Sequence, residues 1–149
     1  MSRELLAEEI EQILNQSEVG RLGLCRDARP YVVPLCYYYN GKAIYFHGAP
    51  RGRKVDCIKD GGRACFLVDH FMEVQKSENP CKFNVAFKSV MVEGPVTLVE
   101  DEEEKVAALQ GLAARYGGPE AASRLAAGDT RRTAVFKLLI EQKSGRANP

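Results

Sequence analysis

With 149 residues, 45% of them apolar, the chain can bury one core and is read as a single domain over 1–149. A formal charge of +1 and a pI near 7.6 exclude a global field for nucleic acid or an anionic membrane, so any cationic site must be local. No apolar run approaches the roughly 20 residues that cross a bilayer, and the start MSRELLAEEIEQ is acidic rather than signal-like, so a cytoplasmic protein with no nucleic-acid or membrane partner is expected.

Leu6, Ile10, Ile13 and Leu14 recur at helical spacing, which predicts an amphipathic helix from about 5 to 16, ended by Gln16-Ser17. Val19 to Leu24 and Pro30 to Tyr39 read as an antiparallel pair joined through Arg26-Asp27-Ala28-Arg29. Asn40-Gly41 is the strongest hairpin signal in the chain, since both residues tolerate positive φ, and it leads into a strand from Lys42 to His47. A short helix over Lys54 to Lys59 follows, closed by Gly61-Gly62, then an apolar strand from Arg63 to Asp69. His70 to Lys82 lacks periodicity and reads as a long loop around Ser77-Glu78-Asn79-Pro80. Phe87 to Val99 is the longest strand, with Gly94-Pro95 as a bulge or bend. Asp101 and Glu104 form a D-x-x-E cap on a helix whose buried stripe is Val106, Leu109, Leu112 and Tyr116. After Gly117-Gly118-Pro119 comes a second, alanine-rich helix ending near Gly128, then a strand from Ala134 to Gln142 and a polar tail from Lys143 to Pro149. Short strands joined by tight turns, with few helical crossovers, favour a closed or nearly closed antiparallel barrel with peripheral helices.

The five cysteines, Cys25, Cys36, Cys57, Cys65 and Cys81, contain no C-x-x-C pair and are read as reduced. All but Cys81, which lies in a polar loop, sit in apolar segments and are expected to pack as small hydrophobes. The acidic run Glu100 to Glu104 suits a helix N-terminus better than a metal site. Neither of the two histidines has a partner at zinc-ligand spacing, so no metal is expected.

The segment from Ala43 to Lys54 runs a strand into a glycine-spaced turn with three cations in four residues, Arg51, Arg53 and Lys54. On the residues alone it is either a solvated basic turn or a phosphate clamp, with Arg53 supplying a guanidinium fork and Lys54 a compact charge. Pro34 within the apolar Val33-Pro34-Leu35 implies an edge strand, because proline cannot donate a ladder hydrogen bond. His47 fits either a strand-end histidine or a functional group, and Ser89 either an outward hydroxyl or a ligand contact.

Together these segments resemble the pyridoxamine 5′-phosphate oxidase-like, FMN-binding split-barrel superfamily, with the nearest likeness to nitroimidazole-resistance-type proteins. The likeness rests on Val19-Gly20-Arg21-Leu22-Gly23-Leu24, Tyr45-Phe46-His47-Gly48-Ala49, the Arg53-Lys54 pair, Lys88-Ser89-Val90-x-Val92-x-Gly94 and the closing Lys143-Ser144-Gly145-Arg146. It implies a mostly β, antiparallel split barrel with peripheral helices. Arg53 and Lys54 would bind the FMN phosphate, Val33, Pro34, Leu35, His47 and Gly48 would line the cofactor, and Ser89 would touch it from the later strand. FAD is an alternative cofactor. The resemblance further implies a homodimer with flavin sites at the interface, where Tyr37-Tyr38-Tyr39 would either cover that surface or simply pack. The activity implied is reduction of a small electron-poor acceptor such as a nitroaromatic, with His47 catalytic. The electron donor is left open: any NAD(P)H would have to visit the same open flavin face, because no G-x-G-x-x-G signature is present. Pyridoxamine 5′-phosphate oxidase activity itself is not expected, as the chain has no tryptophan and ends soon after its last strand. The alternative is a non-catalytic flavin- or haem-binding barrel.

Overall fold

A computed structural model describes the backbone of residues 1–149 and every side chain except that of Ala127. In chain order the elements are β1 (Arg3–Glu4), α1 (Ala7–Gln16), β2 (Gly20–Arg26), β3 (Arg29–Leu35), β4 (Tyr38–Tyr39), β5 (Ala43–Gly48), α2 (Arg53–Lys59), β6 (Gly62–Gln75), β7 (Asn84–Leu98), α3 (Glu102–Gly117), α4 (Pro119–Ala122), α5 (Ala127–Arg132), β8 (Ala134–Leu139) and β9 (Gln142–Asn148). The nine strands form one sheet whose main path runs β3-β2-β6-β7-β8-β5-β4, with β9 on β7 and β1 on β9. Every pair is antiparallel, as expected for a split barrel.

The split is made by β7. Along one edge it pairs with β6; along the other, Phe87 to Glu93 face β9 while Val96 to Leu98 face β8. The fork lies at Gly94-Pro95, where the sequence predicts a bend. No register shift occurs there; instead the β8–β9 corner presses on the strand. A Cβ at Gly94 would lie 1.8 Å from the Leu139 carbonyl oxygen, so only glycine fits.

The strand run Ala43-Ile44-Tyr45-Phe46 is buried throughout because both faces are covered. Ile44 and Phe46 enter the main core with Phe66, Val68, Val90, Val92, Phe136 and Leu138. Ala43 and Tyr45 face the other way, against Ala108, Leu109 and Leu112 of α3. Arg115 of α3 stacks 4.0 Å from the centre of the Tyr37 ring and donates to the carbonyls of Leu14, Asn15, Ser17 and Tyr37. It thereby satisfies acceptors at and beyond the open C-terminus of α1 and ties that helix to α3. The tyrosine group packs: Tyr37 and Tyr39 are buried and Tyr38 stacks on Tyr45.

Several expectations are corrected. The long loop expected over His70 to Lys82 is strand as far as Gln75, pairing with Asn84 to Lys88 past a bulge between Phe71 and Glu73. Its missing periodicity reflects a two-stranded ribbon that is largely in water, with Phe71, Met72, Val74 and Phe83 exposed and Ala86 buried. The polar tail is β9, which forms because β7 offers it a free edge. The alanine-rich helix is two short ones, α4 and α5, broken over 123–126. The Pro30–Tyr39 strand is interrupted at Cys36-Tyr37. Cys25 and Cys36 are exposed rather than packed, the first beside the β2–β3 turn and the second in that interruption; Cys57 is buried. Asp101 accepts from the Glu104 N–H as a cap, yet Glu104 does not reach back. Its carboxylate accepts instead from the Tyr45 hydroxyl (2.7 Å) and the Lys137 ammonium (2.9 Å).

Candidate functional site

β5 carries His47 and Gly48 to its end, the Ala49-to-Gly52 turn reverses direction, and α2 opens with Arg53 and Lys54. Gly52 permits this reversal by adopting φ 121°, a conformation side chains disfavour. The Lys54 stem lies back along the strand end, with its ammonium 5.8 and 5.9 Å from the ring centres of Phe46 and Phe136. A Cβ at Gly48 would stand 2.8 Å from Lys54 Nζ, so this glycine keeps the ammonium's position open. Arg53 lies over Tyr31 of β3, 4.4 Å from the ring centre, a contact that holds its head near the strand.

Among the described residues neither Arg53 nor Lys54 has a carboxylate within ion-pair distance. Burial pushes the Lys54 ammonium below its ordinary pKa. For His47, burial first and the Lys54 charge second push the imidazole below 6.5, so it is neutral at pH 7. The ring reaches solvent, yet its neighbours crowd it enough to disfavour a second proton. Two unpaired cations beside a neutral imidazole suit an incoming anion: the guanidinium offers two parallel donors and the ammonium three.

β3 links the clamp to a second feature. As Pro34 implies, it is an edge strand, paired with β2 alone. Tyr31, Val33 and Leu35 turn partly onto the core, while Val32 and Pro34 face outward. At its start Tyr31 meets Arg53; just past its end Cys36 borders a hollow of about 370 Å³ shared with His47 and with Leu109, Leu112, Ala113 and Leu125. At ~3.3 Å per residue the strand covers roughly 17 Å between them. Gly48, Arg53 and Lys54 thus gather at the end of β5, with Tyr31 at the start of β3 against Arg53, while His47 borders the hollow that Cys36 reaches just past the end of β3.

Ser89 is not brought there. It sits mid-strand on β7, between Asp69 of β6 and Arg146 of β9, and lines a separate polar hollow of about 540 Å³ with Ile10, Met91, Lys143 and Arg146. That hollow is the larger, but it contains neither His47 nor the clamp. His70 is likewise committed elsewhere: Ser17 Oγ donates to the Ile13 carbonyl and receives the imidazole N–H at 2.6 Å. Sequence reasoning missed Tyr31, Phe46 and Phe136 as supports of the two cations. It also missed Cys36, Ala113 and Leu125 as walls of the hollow, and read Leu109 and Leu112 only as core. Period-two patterning of β3 marks Tyr31 as inward; nothing in the pattern distinguishes a leucine that lines a hollow from one that fills a core.

A family model described as pyridoxamine 5′-phosphate oxidase matches residues 7–147. The chain belongs to this family. Among solved structures similar to this member of the pyridoxamine 5′-phosphate oxidase family is the flavocytochrome Anf3 of Azotobacter vinelandii. It has a TM-score of 0.85 at 24% identity over 99% of this chain and 69% of that one. An FAD-binding protein of Mesorhizobium loti has a TM-score of 0.71 at 27% identity, over 100% and 99% of the two chains. A proposed 5-nitroimidazole antibiotic resistance protein of Bacteroides thetaiotaomicron has a TM-score of 0.79 at 24% identity, over 98% and 87%. The family member is also 28% identical to an uncharacterized protein of Rhizobium meliloti (strain 1021) over 62% of this chain and 54% of the other. The chain therefore spans about half the length of that curated relative. Among the described residues no helix is long and apolar enough to cross a membrane.

Proposed function

We propose that the chain is a flavoprotein of the oxidoreductase class in which Arg53 and Lys54 hold the phosphate of FMN and a small electron-poor acceptor, such as a nitroaromatic, is reduced beside His47. The observation that carries this reading is the pair of unpaired cations at the turn from β5 to α2, one of them half-buried at a lowered pKa. A half-buried ammonium without a carboxylate is unfavourable in the free protein and gains most from a dianion. The same clamp suits the phosphates of FAD, the cofactor in the name of the Mesorhizobium loti relative.

Bound flavin would supply the electron pair for reduction of an acceptor. The chain's own residues do the rest. The Arg53 fork, over the Tyr31 ring, would orient one end of the cofactor, and the open edge of β3 offers main-chain groups along its length. His47, neutral at pH 7, has one N–H to donate toward an acceptor oxygen and one lone pair with which to relay a proton. NAD(P)H would reach the site from the open edge as donor. Ser89 lines a different hollow, so the flavin contact that the resemblance gives it would have to come from a second copy of the chain; a homodimer in a cytoplasmic protein is part of this proposal.

The test is the visible spectrum of the purified protein, its bleaching by NAD(P)H and its recovery on adding a nitroaromatic. Arg53→Ala with Lys54→Ala should weaken FMN binding at least about a hundredfold, since each charge-assisted bond contributes about 1.5–3 kcal/mol. Wild-type affinity in that variant would remove the clamp. A second reading, haem carried without turnover and with His47 as the residue that would hold it, draws on the flavocytochrome likeness. A Soret band in place of a flavin spectrum would favour it.

A further inference from the structure

We propose that the hollow behind His47 is the acceptor site and selects an uncharged, largely apolar molecule, with Leu112 and Ala113 of α3 setting the size it admits. The word acceptor rests on the flavoprotein reading above; the selectivity rests on the walls alone. The hollow's volume of about 370 Å³ falls in the lower part of the ~300–1,000 Å³ range of small-molecule sites. Leu109, Leu112 and Ala113 stand at i, i+3 and i+4 on one face of α3, and Leu125 faces them from the segment between α4 and α5.

The polar groups in the lining are already engaged or point to one kind of ligand. The Tyr116 hydroxyl donates to the Glu18 carbonyl at 2.7 Å and accepts from the Tyr37 N–H at 3.0 Å. Asp129 Oδ2 accepts from the Ala126 N–H at 3.1 Å. Among the described residues the His47 imidazole and the Thr133 hydroxyl are left to contact a ligand, beside the Cys36 thiol at the rim. No lysine or arginine among the described residues lines the hollow. A carboxylate or phosphate entering it would lose its water without gaining a counter-charge and would meet the Asp129 carboxylate. A neutral ring pays no such penalty against leucine walls, and its nitro or carbonyl oxygen can accept one imidazole N–H. On this reading the Arg53–Lys54 clamp serves the anionic end of a cofactor, and the hollow bordered by His47 a neutral reactant.

Cys36 provides a readout independent of turnover, because it is exposed and borders the hollow, while the equally exposed Cys25 on β2 does not line it. The flavin-loaded protein is alkylated with iodoacetamide in the presence of nitrobenzene or 4-nitrobenzoate, and each cysteine is followed by peptide mass mapping. At ten times its Kd, nitrobenzene should slow modification of Cys36 about tenfold and leave Cys25 unchanged, while 4-nitrobenzoate protects neither. Ala113→Phe should abolish the protection, its flavin content serving as the check that it has folded. Leu112→Ala, which enlarges the hollow, should extend protection to 1-nitronaphthalene. Equal protection by 4-nitrobenzoate, or undiminished protection by nitrobenzene in Ala113→Phe, would overturn the proposal. If the protein binds no flavin, Cys36 protection in the flavin-free chain upholds the hollow while the flavoprotein reading fails. Flavin-loaded protein without protection refutes the hollow while that reading stands.

Discussion

Replacing Lys54 by Met separates a ligand-binding cation from a structural one. The side chain keeps its length and its contact with Phe46 and Phe136, and only the ammonium goes. In the free protein that ammonium has no carboxylate partner, its pKa is lowered by burial, and its distances of 5.8 and 5.9 Å from two ring centres lie at the outer edge of useful cation–π attraction. Folding therefore works against the charge. With a folded-state pKa below the ordinary 10.5, the penalty is fully present below that folded value and is relieved as pH rises toward 10.5. Lys54→Met should accordingly melt no lower than wild type at pH 7, and its stability should lose this alkaline rise. With FMN bound as proposed, the ammonium would face a dianion, and losing a charge-assisted bond of about 1.5–3 kcal/mol would weaken binding roughly ten- to a hundredfold at 1.4 kcal/mol per decade. Isothermal titration with FMN and with riboflavin, which lacks the phosphate, reads the effect directly: the FMN constant should fall and the riboflavin constant should not. A variant that melts much lower than wild type, or that binds FMN undiminished, would refute the reasoning.

Removing the Lys54 charge should also raise the pKa of His47, since that charge is one of the two causes holding it down; the two imidazoles of the chain can be followed by NMR titration, and an unmoved His47 would contradict the placement. Glu104→Gln should destabilise the protein at pH 7, where the carboxylate is held below its ordinary 4.5 by Lys137 and Tyr45. A depressed carboxyl stabilises above its unfolded pKa and loses that contribution as pH falls through the folded one, so the gap between wild type and variant in urea melts should close below about pH 4.5. In the same variant Tyr45, pushed up to about 12 by burial first and Glu104 second, should titrate lower. Gly94→Ala should cost about 3 kcal/mol or more, because the added methyl meets a backbone carbonyl that cannot rotate away; a loss below about 1 kcal/mol would show that the β8–β9 corner can yield.

Local chemistry made much of this architecture legible. Asn40-Gly41 announces a hairpin, and Asn40 Oδ1 does accept from the Lys42 and Ala43 N–H groups while Gly41 takes φ 92°. Pro34 announces an edge, and β3 is one. The basic turn was readable because strand end, turn and cations are adjacent in the chain, within the reach of local patterning. Other features escaped because their causes lie far away in sequence. Lys143-Ser144-Gly145-Arg146 has no strand signature, and becomes strand because residues near 90 leave an edge unpaired. Gly94 looked like a bend, whereas its role is set by a carbonyl 45 residues later.

Composition, periodicity and turn chemistry are local properties, and they were enough to specify an antiparallel barrel with a basic turn where β5 meets α2. Which side chains share a space is a matter of long-range packing. The assembly of the core set Arg53 on Tyr31, Lys54 beside Phe46 and Phe136, and His47 at the mouth of a hollow walled by a helix 60 residues distant. Ser89 went to the other side for the same reason: a strand's neighbours are chosen by the sheet, and the sheet forks at Gly94.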